Sequence, residues 1–279
     1  MGDHVSAAAP HRKFTGAGAA AFYIKRMKQM RILPAAALAL TMSAIAAAPA
    51  ANAGDRNGAV VVELFTSQGC YSCPPAEKFL GDLSEQKSVI ALEFHVDYWD
   101  DLVHGGDGKW KDPFSKPAFT QRQRAYNQQI RRTGNVYTPQ MVIDGKLEAV
   151  GSRRLPVLSA IREAEKGLKQ RLDVGVSVAS GKVENVTLTG PVKATGSVWL
   201  VRFIKSKETR VRSGENKGKA LLSHNIVIGI QKIGTWSGTP TAIPVSGFEL
   251  ADGEGCAVLV QNNRQGPILG AAQCPAEAS

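Results

Sequence analysis

Downstream of residue 53 the sequence lacks any apolar run long enough to cross a bilayer, so the product of that region is expected to be soluble. It lacks a proline- or serine-rich linker, so its two halves are expected to pack firmly together. The aspartates of residues 97–117 lack calcium-loop spacing. Charge of one sign is in short supply: the formal net charge is +10, about half of it within the first 53 residues. What remains gives no reason to expect a nucleic-acid partner. Cysteine is scarce as well. Cys70, Cys73, Cys256 and Cys274 allow three pairings, of which sequence separation favours Cys70–Cys73 with Cys256–Cys274.

The N-terminal stretch supplies the one long apolar run. A basic start (Arg26, Lys28, Arg31) precedes the Ala- and Leu-rich residues 32–48, and Ala51-Asn52-Ala53 follows. That is the pattern of a secretory signal peptide cut after Ala53. A membrane-spanning helix fits less well, because the run is short and no stop-transfer charges follow. Residues 1–26 read as an upstream extension, with Met27 or Met30 as the start. The mature chain, 54–279, is expected to be periplasmic or secreted, where thiols are stable as pairs.

Along the mature chain the pattern changes near residue 172. "AVVVELF" (59–65) and "SVIALEFHV" (88–96) read as buried strands. Between them Ala76, Phe79, Leu80 and Leu83 recur at helical spacing. Residues 97–117 read as an aromatic loop carrying Tyr98, Trp99, Trp110 and Phe114, either a lid or a plug. Residues 118–132 read as a basic helix, with Arg122, Arg124, Arg131 and Arg132 on a solvated face. "QMVIDGKLEAVG" (140–151) is a hairpin turning at Asp144-Gly145, and 155–172 a closing helix. From 172 onward, short β-rich runs suggest a small sandwich. "CAVLVQN" and "PILGAA" make a hairpin that brings Cys256 next to Cys274, a structural disulfide worth about 3 kcal/mol by the chain-entropy model. "KETRVRSGENKGK" (207–219) reads as a charged loop.

"FTSQGCYSCPPAEKFL" (65–80) carries the chemistry. Cys70 and Cys73 stand where strand becomes helix, three positions apart, which lets the two sulfurs bond. A helix start favours negative charge, and thiolate is the reactive form. Cys70 is therefore expected to be the exposed, attacking thiol and Cys73 the resolving one. Pro74 and Pro75 are tolerated only in a first helical turn, so the regular helix should begin near Cys73 or bend there. A redox pair, a fixed disulfide and a metal clamp all remain open. His95, at the end of the second strand, could join both cysteines in a soft copper or zinc site of two sulfurs and one nitrogen.

The order strand, CxxC, helix, strand, helix, hairpin, helix over residues 58–171 resembles the thioredoxin fold. The resemblance implies a cis peptide bond at Thr138-Pro139 facing the cysteines. It also implies that Thr138 offers backbone hydrogen bonds to a bound chain, with Tyr71 of the CxxC dipeptide in contact with the same substrate. It implies a buried carboxylate that takes a proton from the resolving thiol, and Glu63 is the candidate; the alternative for Glu63 is a strand-edge carboxylate that reaches solvent or a basic partner. Thioredoxin-fold copper chaperones use two cysteines and a histidine, but at CxxxC spacing.

"LFTSQGCYSCPPAE", "FHVDYWD", "WKDPF", "VYTPQMVIDG", "GENKGKALLSHNIV" and "GPILGAA" together resemble a family of secreted bacterial thioredoxin-like proteins known mainly as a domain of unknown function. The expected fold is an α/β thioredoxin-like domain (54–171) followed by a small all-β sandwich (172–279). The expected activity is thiol–disulfide exchange with protein thiols or disulfides in the periplasm, through Cys70, Cys73, Pro139 and Glu63 and without an organic cofactor. The alternatives are a non-catalytic binding module with a structural Cys70–Cys73 disulfide, and a copper-binding protein using Cys70, Cys73 and His95.

Overall fold

The computed structural model describes residues 58–104 and 111–275. The leader-like residues 1–53 and Trp110 lie outside them. β1 (Val60–Thr66) and β2 (Val89–His95) are buried at every position, as strands covered on both faces must be. They pair in parallel, from Val60 beside Val89 to Thr66 beside His95. The connection between them includes α1 (Pro74–Ser84). β3 (Gln140–Ile143) lies antiparallel along the other edge of β1, and β4 (Leu147–Val150) completes its hairpin. Asp144 and Gly145 take φ values of 53° and 66°. The Asp144 carboxylate accepts the Val61 N–H at 2.9 Å and pairs with Arg171, which fixes the turn to the start of β1.

α2 (Tyr98–His104) occupies part of the expected aromatic loop, and α3 (Pro117–Ile130) and α4 (Arg154–Glu165) follow the expected periodicity. Then come β5 (Asp173–Ala179), β6 (Lys182–Thr189), β7 (Gly196–Arg210), β8 (Ala220–Trp236), β9 (Thr241–Pro244), β10 (Glu254–Asn262) and β11 (Ile268–Gln273). β7 runs through "KETR", which the charge run had suggested was loop.

The expectation of an α/β thioredoxin-like domain followed by a separate sandwich does not hold. The chain is mostly β. One eight-stranded mixed sheet runs in the order β11-β10-β7-β8-β2-β1-β3-β4, and a three-stranded sheet holds β5-β6-β9. The cause is the edge of β2. It is not a domain boundary, because β8 joins it through a parallel pairing of Glu93 with Ile226. Strands from both halves therefore build one sheet.

Alternation along the strands sorts three cores. Val60, Val62 and Leu64 face α1 and α4, meeting Phe79, Leu80, Val157 and Ile161. Val61, Phe65, Leu92 and Phe94 face the other way, where Phe119 and Tyr126 of α3 pack with Val201 and Phe203 of β7 and Ala257 and Leu259 of β10. Val198, Leu200, Val258 and Val260 fill a third core with Val174, Val176, Val186 and Leu188 of the small sheet. Cys256 of β10 is bonded to Cys274, which directly follows the edge strand β11.

The middle core takes side chains from both sides of residue 172. Each fully buried aliphatic or aromatic group there stabilises by about 1.5–3 kcal/mol. A fragment ending at residue 171 loses the β7, β8 and β10 side of that core. It should therefore show no cooperative urea transition by near-ultraviolet circular dichroism. A sigmoidal transition with native-like signal would show that the first half folds alone.

Candidate functional site around the Cys70–Cys73 disulfide

Cys70 and Cys73 are joined by a disulfide. After β1, a turn bonds the Cys70 N–H to the Ser67 carbonyl at 3.1 Å and the Cys73 N–H to the Cys70 carbonyl at 3.2 Å. Cys73 is the N-cap of α1, with Pro74 and Pro75 at the first two helical positions. Prolines fit there because those N–H groups have no helical partner. The same fact weakens the expected support for a thiolate, since two of the helix's free donors are gone. The next two, at Ala76 and Glu77, already bond the Cys73 carbonyl. The Ser72 hydroxyl lies 3.4 Å from Cys70 Sγ.

The expectation of an exposed Cys70 is not met: Cys70 and Cys73 are both 0% exposed, whereas Tyr71 is 68% exposed. The loop joining β7 to β8 is bonded to the backbone of this turn. Asn216 is fully buried, and its amide donates to the Cys70 carbonyl at 2.8 Å and to the Gln68 carbonyl at 3.0 Å. A Glu215 carboxylate oxygen accepts the Tyr71 N–H at 2.8 Å. Lys219 Nζ donates to Asn216 Oδ1 at 2.8 Å and stands 4.6 Å from the centre of the Tyr71 ring.

Beneath the disulfide, on the α1 side of the sheet, lies a buried polar cluster. Thr66 donates its hydroxyl to Glu77 at 2.6 Å. His95 is held between two carboxyl groups, Nε2 at 2.7 Å from Glu93 and Nδ1 at 2.7 Å from Asp112. Asp112 also accepts the Gln68 N–H at 2.7 Å, which ties the cluster to the turn before Cys70. Burial, then repulsion from Glu93, pushes the Glu77 carboxyl up to about 8, against the opposing pull of His95 and the Thr66 hydroxyl. For His95 burial works against the charged form, but the Asp112 charge and the hydrogen bonds the ring donates to Asp112 and Glu93 outweigh it and raise the imidazole well above its usual range. Asp112 is held low despite its burial, by His95 and the N–H groups of Gln68 and Phe114.

Glu77 had no place in the sequence reading. A glutamate in a first helical turn reads as a solvated acid that suits the dipole. A signal was present, however: Gly81 and Ser84 lie four and seven residues on, so one stripe of α1 carries Glu77 and two small residues. That stripe admits β8. The His224 ring lies so close to Gly81 that a Cβ there would sit 2.8 Å from it. Between α1 and β8 a groove of about 470 Å³ is lined by Glu77, Lys78, Gly81, Leu221, Leu222 and His224.

Glu63 is placed elsewhere. The alternation of β1 sends it with Val61 and Phe65 toward α3, on the face opposite α1 and the cysteines. There Arg122 grips it with bonds of 2.5 and 2.9 Å, and the Tyr126 hydroxyl also donates to it. Arg122, expected on a solvated face, is buried; Arg124, Arg131 and Arg132 are exposed. The Thr138–Pro139 bond is cis. Because Phe65 pairs with Gln140, Pro139 sits beside Thr66 at the cysteine end of the sheet. Thr138 Oγ1 accepts the Trp99 indole N–H at 2.7 Å, so α2 leans on this corner. Both His95 nitrogens face carboxyl oxygens, which leaves no lone pair directed at Cys70 and Cys73 for a shared metal.

The Glu63–Arg122 pair supports the fold. Arg122→Met should cost roughly 3–5 kcal/mol, because it strands a buried carboxylate, and a second change of Glu63→Leu should recover much of that loss. Urea midpoints of the two variants test this. A neutral Arg122→Met would mean that Glu63 is not held as a charge.

A family model described as a protein of unknown function, DUF1223, matches residues 61–261. A crystal structure of a protein from Agrobacterium tumefaciens is similar at 26% identity and TM-score 0.62, covering 79% of this chain and 96% of that one. HBP35 of Porphyromonas gingivalis is a more distant likeness, at 16% identity and TM-score 0.49, covering 81% of this chain and 79% of its own. No curated protein matches. The family match spans most of the sequence, from β1 through Cys70, Cys73 and the covering loop to β10, and on that match the chain belongs to the DUF1223 family.

Proposed function

We propose that this protein exchanges disulfides with protein thiols outside the cytoplasm, through Cys70 and Cys73. The observation that carries this reading is Glu77. It lies one helical turn from Cys73, on the same face, and is buried and held protonated at neutral pH. A static cross-link has no use for such a group, whereas a pair that opens and closes needs one. An incoming thiolate attacks Cys70 Sγ, the Cys70–Cys73 bond breaks, and Cys73 leaves with the electron pair and takes the Glu77 proton. A second thiolate of the client then attacks the client sulfur of this mixed disulfide: the client disulfide forms, Cys70 leaves with the electron pair, and the Cys70–Cys73 pair is reduced by two electrons. In the opposite direction, from a mixed disulfide on Cys70, ionised Glu77 removes the Cys73 proton and the Cys73 thiolate attacks Cys70 to release the client thiol. Glu77 also lines the groove between α1 and β8, the side from which its proton would be restored.

The pairing of all four cysteines and the leader-like N terminus support an oxidising setting for this chemistry. Pro139 and Thr138 lie at the cysteine end of the sheet and Tyr71 is exposed beside it, a surface suited to an extended client. The burial of both sulfurs favours a second reading, a binding module with a fixed disulfide.

A Cys73→Ser variant separates the two. Expressed with its leader, it should accumulate mixed disulfides between Cys70 and client thiols, resolved on a non-reducing gel. Absence of adducts, with Cys70 intact, would leave the fixed-disulfide reading. Glu77→Gln should slow exchange by roughly a hundredfold or more and abolish any dependence of the exchange rate on pH around 8, where Glu77 titrates. Stability supplies a second readout. Between the ordinary carboxyl pKa of 4.5 and about 8 the folded protein holds a proton that the unfolded chain releases. Stability therefore falls as pH rises through that window. Glu77→Gln should flatten the slope of urea midpoint against pH; an unchanged slope would place the proton elsewhere.

A further inference from the structure

Both cysteines are buried, and the loop joining β7 to β8 is bonded to the turn that carries them. Residues 212–219, RSGENKGK, contain no apolar side chain. They close on themselves through the Val211 N–H to the Lys219 carbonyl at 2.9 Å and the Gly218 N–H to the Val211 carbonyl at 2.9 Å. Gly214 and Gly218, with φ of 78° and 86°, bracket the segment that touches the cysteines. Hydrogen bonds hold this segment to the CxxC turn: two from Asn216, one to Glu215, and the weaker Glu215 N–H to Gly69 carbonyl at 3.3 Å. Water can replace each when the loop lifts, so each adds only a modest net stability. Segments with few buried apolar contacts open at low cost.

The pattern of these bonds is informative. Asn216 places a donor on the Cys70 carbonyl, and Glu215 places an acceptor on the Tyr71 N–H. A peptide backbone laid across the CxxC would offer the same two groups. The loop thus occupies two backbone groups of the CxxC turn that would otherwise be open to a client. The Glu215 carboxylate also adds negative charge beside Cys70, which disfavours the thiolate there.

We propose that residues 212–219 are an autoinhibitory latch that occupies the client position over Cys70 and must lift before exchange; the proposal rests on the exchange reading above. A client polypeptide competes for the Cys70 carbonyl and Tyr71 N–H, and the latch gives way to it.

The test is the rate at which dithiothreitol reduces Cys70–Cys73 in the folded protein, followed by alkylation and mass measurement of each cysteine pair. In this step one dithiothreitol sulfur bonds to Cys70 as Cys73 leaves. The second sulfur then displaces Cys70, giving oxidised dithiothreitol and a two-electron-reduced pair. Asn216→Ala should accelerate reduction of Cys70–Cys73 roughly tenfold to hundredfold, and Glu215→Gln by a few-fold with weaker dependence on salt. The Cys256–Cys274 pair should be unaffected in both. Rates within twofold of the unmutated protein in both variants would overturn the latch.

Hydrogen exchange on the unmutated chain gives an answer even if Asn216→Ala fails to fold. The Tyr71 and Glu215 amides should exchange orders of magnitude faster than those of β1. Protection equal to β1 would mean the loop opens only on global unfolding, and the latch would be refuted. Faster reduction in the variants without mixed disulfides in Cys73→Ser would retain the latch and remove the exchange reading. Equal client exchange by variants and unmutated protein would do the reverse.

Discussion

The pairing of β7 with β8 is the constraint on which the rest of this structure depends. These are the longest strands, 15 and 17 residues, and they form one antiparallel ribbon. At its middle Val201, Phe203 and Val227 fill the core against β1 and β2. Midway, Ile226 meets Glu93 and converts two groups of strands into one sheet. Beyond that point the ribbon projects past the sheet, and its connecting loop reaches the CxxC. A displacement at one of these levels is felt at the others, because the ladder between Gly196 and Arg210 is continuous apart from two bulges. The cover over the disulfide is therefore not an independent appendage. Its position is set by the strand register that builds the core.

The same ribbon explains the buried charge. Glu93 and His95 face α1 because β2 alternates, and α1 with β8 closes that face from above. The Glu93 carboxylate also accepts the His224 N–H at 3.3 Å, so β8 contributes backbone to the cluster. An imidazole between two carboxyl groups satisfies three side chains at once, as buried polar groups require. Glu77 is left over. The hydroxyl of Thr66 does not offset its loss of water, and the group keeps its proton. Protonation is thus a result of packing that β8 imposes, rather than of anything local to α1.

The sequence made some of this readable and hid the rest. The uninterrupted apolar runs of β1 and β2, the Asp144-Gly145 turn, and the Cys256–Cys274 hairpin are local patterns, and local patterns survive tertiary context. Cys73 as a helix start followed from Pro74 and Pro75. What could not be read was adjacency. Nothing in "HNIVIGIQKI" states that its strand will lie beside β2 rather than in a sandwich of its own. The charged "KETR" looks like loop because on a projecting ribbon both faces meet solvent and the apolar half of the alternation disappears. Arg122 was misjudged for a related reason. Its charge suggested water, but its partner Glu63 is 59 positions away, and only the fold brings them together. Glu77 and Asn216 are ordinary residues in sequence whose importance comes from what covers them.

Energetics argue that the disulfide and Glu77 are not together a device for stability. A cross-link spanning three residues constrains the unfolded chain less than a longer one; on the chain-entropy model it contributes about 2 kcal/mol, against about 3 for the 18-residue span of Cys256–Cys274. Keeping a carboxyl of ordinary pKa 4.5 protonated at pH 7 costs about 3 kcal/mol. A glutamine or leucine at position 77 would avoid that cost in the same volume. The corner therefore loses at least as much stability at Glu77 as the staple above it returns. On the proposed exchange reading, a group held at a net cost within a helical turn of Cys73 is explained by the proton it would supply rather than by what the fold gains.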